Sequence, residues 1–166
     1  MWLASLFRSI EATGIATAIR ENDLLFPLIE SIHVLATTLV FGIIAVVDLR
    51  LLGLASLGRP ATKLMAELLP STWVAFAISA ITGTLLFSSN PAVYAGNFYF
   101  DSKLLLMVFA GMNVFVFHVF TIRGISVWDA ASRTPWRAKI AGGISLLLWV
   151  GVVFCGRWIG FTMINA

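Results

Sequence analysis

The stretch Pro27–Arg50, PLIESIHVLATTLVFGIIAVVDLR, decides the fold because it has the length and hydrophobicity of a membrane-spanning helix. About 20 apolar residues are needed for a helix to cross the hydrocarbon core of a bilayer. Glu30, His33 and Asp48 nevertheless lie inside it, and ionisable groups in a bilayer are costly unless they face protein or a hydrated cavity. The sequence therefore predicts that this helix packs against others and turns its polar face towards them.

The composition of the whole chain is that of an integral membrane protein. Of its 166 residues, 60% are hydrophobic and only 11% are charged, against about 25% charged residues in soluble domains. The formal net charge of +3 is small, and nothing indicates nucleic-acid binding. Cys155 is the only cysteine, which excludes an internal disulfide and the two-cysteine attachment of a c-type haem. The first residues lack the pattern of a signal peptide, so we expect them to remain on the mature protein.

Four segments are long and apolar enough to span a bilayer, so we predict an all-α, four-helix transmembrane bundle that forms one domain over residues 1–166. The predicted spans are residues 24–52, 68–87, 104–122 and 140–159. Polar connections that carry Pro60, Pro91 and Pro135 separate them.

Residues 2–20 predict an amphipathic helix lying in the membrane interface, because Trp2, Leu6 and Ile10 share one face while Arg8 and Glu11 point away from it.

Basic residues are enriched in cytoplasmic loops and so indicate the orientation of the bundle. Their distribution predicts that both termini face the periplasm or the cell exterior. The cytoplasmic set is Arg50, Arg59, Lys63, Arg123, Arg133, Arg137 and Lys139, and the opposite set is Arg8, Arg20, Lys103 and Arg157.

Polar residues share one face of the first span. Glu30, His33, Thr37 and Asp48 recur at helical spacing, which places them on the inward face. Asp48 lies near the cytoplasmic end, where an interfacial anchoring role, shared with Arg50, is the alternative to a functional one.

The second and third spans each show a comparable face, as an inward-packed bundle requires. Small and polar residues gather on the second span, where they permit close approach of a helix or a flat cofactor. The second-span residues are Thr72, Ser79, Thr82 and Gly83, and the third-span residues are Lys103, Met107, Gly111, Val114, His118 and Thr121.

His33 and His118, the two histidines of the chain, suggest axial ligands to non-covalent b-type haem, because imidazole binds iron and a bundle interior can hold a porphyrin. The alternative is that each imidazole only donates a hydrogen bond and packs. Since the two lie roughly 13 Å apart in depth, we expect two separate sites rather than one shared haem. Gly83 would give the haem room.

Other residues are predicted to support such sites. Glu30 would orient His33 through its second ring nitrogen. Arg50 or Arg123 would hold a haem propionate on the cytoplasmic side and Arg157 on the periplasmic side, because guanidinium groups pair with carboxylates. The spacing Glu30-x-x-His33 also occurs in di-iron bundles, but there is one copy of it.

Four blocks of sequence carry a family resemblance: AIRENDLLFPLIESIHVLATTLVFG with AVVDLRLLGLA, FAISAITGTLLFSSNP, a third helix ending in FH, and LLLWVGVVFCGRWIGF. Over almost the whole chain they resemble a family of uncharacterised bacterial four-helix inner-membrane proteins, a domain of unknown function. More remotely, His33 and the pair Thr82-Gly83 are similar to membrane cytochrome b subunits. The resemblance to the uncharacterised family implies the membrane topology and a bacterial origin. It implies no particular activity.

These observations predict a b-type haem protein that passes electrons between a periplasmic or membrane partner and the quinone pool, and that need not be an enzyme itself. A small oligomeric proton or ion transporter, with Glu30, His33, Thr37 and Asp48 lining a hydrated path, is one alternative. A structural accessory subunit of a larger membrane complex is the other. A homo-oligomer is compatible with each of them.

Overall fold

The computed structural model describes residues 2–56, 58–121, 129 and 134–163, and within these ranges the chain forms seven α-helices and no strand. Four helices are long and apolar enough to cross a membrane, which confirms the predicted all-α transmembrane bundle. The helices are α1 (Trp2–Glu11), α2 (Gly14–Glu21), α3 (Leu25–Leu52), α4 (Ala61–Ser89), α5 (Pro91–Ala95), α6 (Phe98–Val116) with a π-helical turn (Phe117–Thr121), and α7 (Trp136–Met163).

Three of the long helices, α4, α6 and α7, begin before the predicted spans, whereas α3 matches its predicted span to within one residue. Helix α4 begins at Ala61 rather than at residue 68, and α6 begins at Phe98 rather than at residue 104. Hydropathy detects only the part of a helix that lies in lipid, whereas polar ends continue as helix where a cap is present. Asn97 provides such a cap, because its side chain accepts hydrogen bonds from the backbone amides of Tyr99 and Phe100, at 2.9 and 3.3 Å.

The N-terminal segment forms two helices where one was predicted. The break falls between Glu11 and Gly14, and the hydroxyl of Thr13 accepts a hydrogen bond from the amide of Ala16, which starts α2. A threonine in this position competes with helix continuation by capping a new helix. Helix α1 buries none of its residues, whereas α2 buries Ala16 and Ile19 and packs against α3 and α4.

The four long helices are connected by three principal contacts, α4 with α3, α3 with α7, and α7 with α6. Helices α3 and α7 approach closely at Gly142, where an added Cβ would lie 3.0 Å from the Cβ of Leu51 and 3.1 Å from the backbone oxygen of Asp48. An apolar cluster fills the middle of the bundle. Its buried members are Val40, Ala75, Ala110, Trp149 and Val152.

Arg50 ties the end of α3 to two connecting segments. Its side chain is 1% exposed, and its three nitrogen atoms donate to the backbone oxygen of Arg59 at 2.9 Å, the hydroxyl of Thr134 at 3.1 Å and the backbone oxygen of Asp129 at 3.3 Å. We call these four residues the Arg50 clamp. The clamp side of the bundle is the side where α3 ends, and the N-side is the side where α3 begins.

Asp129 extends the clamp to the start of α4. Its carboxylate accepts hydrogen bonds from the backbone amide of Thr62, at 2.9 Å, and from the Thr62 hydroxyl, so it caps α4 from a distant segment. Burial alone would raise the pKa of this carboxyl. The bonds from Thr62 and Ala61, together with the Arg50 guanidinium, outweigh that effect and hold the pKa below its usual value of 3.8.

Candidate functional site

His33 lies in the N-side half of the bundle, with its imidazole ring turned from α3 towards α4. Its Nδ1 atom is 2.9 Å from the backbone oxygen of Ser79 and 3.1 Å from the hydroxyl oxygen of Thr82. A carbonyl oxygen can only accept, so the Nδ1 atom must carry the proton in this contact. In the neutral ring the Nε2 atom then holds the free lone pair.

The Nε2 atom of His33 faces Lys103, which reaches into the bundle from α6. The distance between the Nε2 atom and the lysine Nζ atom is 3.4 Å. The lysine side chain passes beside Gly156 of α7, where an added Cβ would be in ordinary contact with it, 3.6 Å from the Nζ atom. His33 and Lys103 therefore join α3 to α6, two helices that the main packing contacts do not pair.

Gly83 makes room for the imidazole. A Cβ added at Gly83 would lie 3.0 Å from the Cε1 atom of His33, a distance at which the ring would have to move. The sequence assigned this glycine to the approach of a flat cofactor, and in the structure the flat group against it is the His33 ring. One turn further along α3, the hydroxyls of Thr37 and Ser79 are 2.8 Å apart.

We call His33, Lys103, Thr37, Ser79, Thr82 and Gly83 the N-side cluster. The five residues other than Lys103 were placed on inward faces by helical spacing, and the structure brings them together. Lys103 had also been placed on the inward face of its helix, but its pairing with His33 could not be read from the pattern. The spacing of a helix gives the direction of a side chain and not its partner on another helix.

Glu30 and Asp48 do not join this cluster. Glu30 is exposed, and the orienting role predicted for it is taken by the Ser79 carbonyl. Asp48 is 4% exposed on the clamp side of the apolar cluster, where it interacts with Ser145, and its Oδ2 atom has no hydrogen-bond partner among the described residues. The polar face of α3 is thus divided into two separate regions.

His118 does not point into the bundle. It is exposed in the π-helical turn, and its Nδ1 atom lies 3.0 Å from the backbone oxygen of Val114, one turn back on its own helix. Gly111 and Val114 are exposed as well, so the predicted inward face of this span is correct only at its beginning, at Lys103 and Met107.

The prediction chose the wrong side of Lys103 on the helical wheel. At 100° per residue, the packed side of α6 occupies an arc of about 80° that contains Lys103, Leu106, Ala110, Asn113 and Phe117. The other predicted residues, from Met107 to His118, occupy the arc on the opposite side of Lys103. The missed signal was Asn113, a polar residue in an apolar run, whose Nδ2 atom donates to the backbone oxygen of Ala141 at 3.0 Å.

Two of the three arginines proposed to hold propionates have other partners in the structure. Arg50 is engaged in its clamp through all three nitrogen atoms. Arg157 is exposed, with its guanidinium 4.9 Å from the centre of the Phe161 ring. Arg123 lies outside the described residues. Within the described part of the chain, no three His, Cys, Asp or Glu side chains converge as a metal site would require.

Comparison with known proteins identifies a family without a known activity. The sequence pattern of the family of unknown function DUF6644 matches residues 23–162, and the chain therefore belongs to this family. Comparisons with curated proteins and with solved structures give no significant match. The predicted membership of an uncharacterised family is confirmed, and the remote similarity to cytochrome b subunits has no support from these comparisons.

Proposed function

We propose that this member of the DUF6644 family binds one b-type haem at His33 and transfers electrons within the membrane. The observation that supports the proposal is the orientation of the His33 ring, whose Nδ1–H is held by the Ser79 carbonyl while its Nε2 lone pair faces the bundle interior. Histidines that ligate metals have this arrangement, because the second hydrogen bond fixes both the tautomer and the direction of the lone pair.

The neighbouring residues fit a haem in part. Lys103 offers an amine 3.4 Å from the Nε2 atom, which can pair with a propionate or act as a second nitrogen ligand. Its side chain stands in front of the lone pair, so haem binding requires the Nζ atom to withdraw. A bound haem would supply one-electron transfer, and the apolar cluster beneath it would exclude water.

The direction of electron transfer is part of the same proposal. The N-side cluster would then lie nearer the periplasmic face of a bacterial inner membrane, with the clamp side in the cytoplasm, because most Lys and Arg residues belong to the clamp side. A periplasmic or membrane partner would exchange electrons with this site, and the quinone pool would be the other partner.

A hydrated proton or ion path along α3 has less support. From Thr37 to Asp48 the helix advances eleven residues, or about 16 Å, and Val40, Phe41 and Ile44 on that face pack in the apolar cluster. Proton transfer needs an unbroken chain of polar groups or water, which an apolar layer of this length interrupts. The role of an accessory subunit remains as the outcome if no cofactor is found.

The test is the haem content of purified His33→Ala and His118→Ala variants, expressed with ample haem. His118 is the matched control, because it is a membrane histidine whose ring is exposed outside the bundle. We expect His33→Ala to lose the haem and His118→Ala to retain it. Equal haem in wild type and His33→Ala, or loss only in His118→Ala, would overturn the assignment.

A further inference from the structure

A groove runs along the outer surface of α3 and α4 in the clamp-side half of the bundle. Its volume is about 600 Å³, which lies in the range of small-molecule sites. Leu35, Leu39, Ile43 and Val46 line it from α3, and Leu64 and Leu68 line it from α4. None of these residues belongs to the N-side cluster, so the groove is independent of the proposed haem site.

One end of the groove is charged, and the rest is apolar except for the hydroxyl residues Thr38 and Ser56. Arg59 and Glu67 stand at the clamp-side end with their Nη1 and Oε2 atoms 3.9 Å apart, and both side chains are exposed. An exposed ion pair is weak and readily exchanges partners. A ligand with a phosphate and an ammonium group could therefore satisfy Arg59 and Glu67 together.

The length of the apolar part matches one leaflet of a bilayer. From Leu35 to Val46 the helix advances eleven residues, or about 16 Å, and half of a hydrocarbon core about 30 Å thick is about 15 Å. An acyl chain anchored at the ion pair would end near the middle of the membrane, where the groove ends as well.

Gly42 keeps the centre of the groove open. A Cβ added at this position meets no atom within 4 Å, so the glycine is not required by packing inside the protein. A larger side chain at Gly42 would project into the groove without disturbing the bundle. This property makes Gly42 a position at which occupancy of the groove can be blocked.

We propose that this groove binds a zwitterionic phospholipid with a primary amine headgroup, phosphatidylethanolamine. One acyl chain lies along α3, the phosphate pairs with Arg59, and the ammonium group pairs with Glu67. The adjacent opposite charges favour this lipid over an anionic one, whose headgroup Glu67 would repel. The two charges also favour this lipid over a helix from a second copy of the chain. Such a helix would cover the ion pair, and removing both charges from water without new polar partners is costly.

The experiment is native mass spectrometry of the full chain in detergent with an equimolar mixture of phosphatidylethanolamine, phosphatidylglycerol and phosphatidylcholine that carry identical acyl chains. We expect phosphatidylethanolamine to be retained about fivefold over the others, which corresponds to about 1 kcal/mol. Gly42→Leu should abolish the retention. Gly111→Leu is the matched control, because a Cβ there also meets no atom within 4 Å and Gly111 lies on α6.

Glu67→Gln should make phosphatidylethanolamine and phosphatidylcholine equal, because the carboxylate that distinguishes a primary amine is lost. Equal retention of all three lipids by the wild type, preference for phosphatidylglycerol, or unchanged lipid binding in Gly42→Leu would each overturn the proposal. The spectra could instead show a dimer of the chain without bound lipid. If Gly42→Leu dissociates this dimer and Gly111→Leu does not, the lipid proposal is overturned and a second copy occupies the groove.

Discussion

Replacing Arg50 by Gln should strongly destabilise the protein, because the guanidinium holds three segments together from a fully buried position. Its three donated bonds have lengths of 2.9, 3.1 and 3.3 Å, and a glutamine is too short to keep more than one of them. A hydrogen bond from a charged group contributes about 1.5–3 kcal/mol, so the loss of two corresponds to roughly 3–6 kcal/mol.

The free energy of unfolding should be measured in mixed micelles by titration with a denaturing detergent, with helix content followed by far-UV circular dichroism. Arg137→Gln is the matched control, since Arg137 is exposed and its described contact is with the ring of Trp136, at 5.7 Å. The control should stay within about 0.5 kcal/mol of the wild type. If Arg50→Gln is no less stable than Arg137→Gln, the clamp does not stabilise the fold and the reasoning is refuted.

Three further predictions concern the clamp side and the packing glycines. The pKa of Asp129 is lower in the folded than in the unfolded protein, so its contribution to stability is present above about pH 3.8 and is lost as the pH falls through the folded value. Asp129→Asn should therefore lose less thermal stability than the wild type between about pH 6 and about pH 3. Parallel curves of melting temperature against pH for the two proteins would contradict this. Gly142→Val should lower the free energy of unfolding by about 1–3 kcal/mol, because the added atoms would meet the backbone of α3. A variant as stable as the wild type would show that α3 and α7 can separate freely. Gly83→Ala should displace the His33 ring, seen as a changed imidazole resonance in NMR spectra, and an unchanged resonance would mean that α4 moves instead.

The membrane bundle could be predicted from sequence because apolar runs of about 20 residues have few other stable solutions. The inward direction of His33 and Gly83 could also be predicted, since costly or small residues at helical spacing mark the packed face. These are properties of single helices and short connections, which local sequence determines.

The contacts that depend on distant segments could not be predicted. Arg50 was expected at the interface or on a propionate, but two of its three acceptors are backbone oxygens, and a backbone oxygen has no sequence signature. His118 was expected inside because Lys103 borders two possible faces at helical spacing, and the prediction took the one that is exposed in the structure. Asn113 faces α7, and as a polar residue in an apolar run it marked the packed face of α6 in the sequence.

The most direct measurement is a dithionite-reduced minus air-oxidised absorption spectrum of the purified full chain, with haem quantified per chain. Because His33 alone of the two histidines faces the bundle interior, a b-type difference band with a ratio near one haem per chain is the expected result. A flat spectrum from protein made with ample haem would contradict the account, and so would a ratio near two.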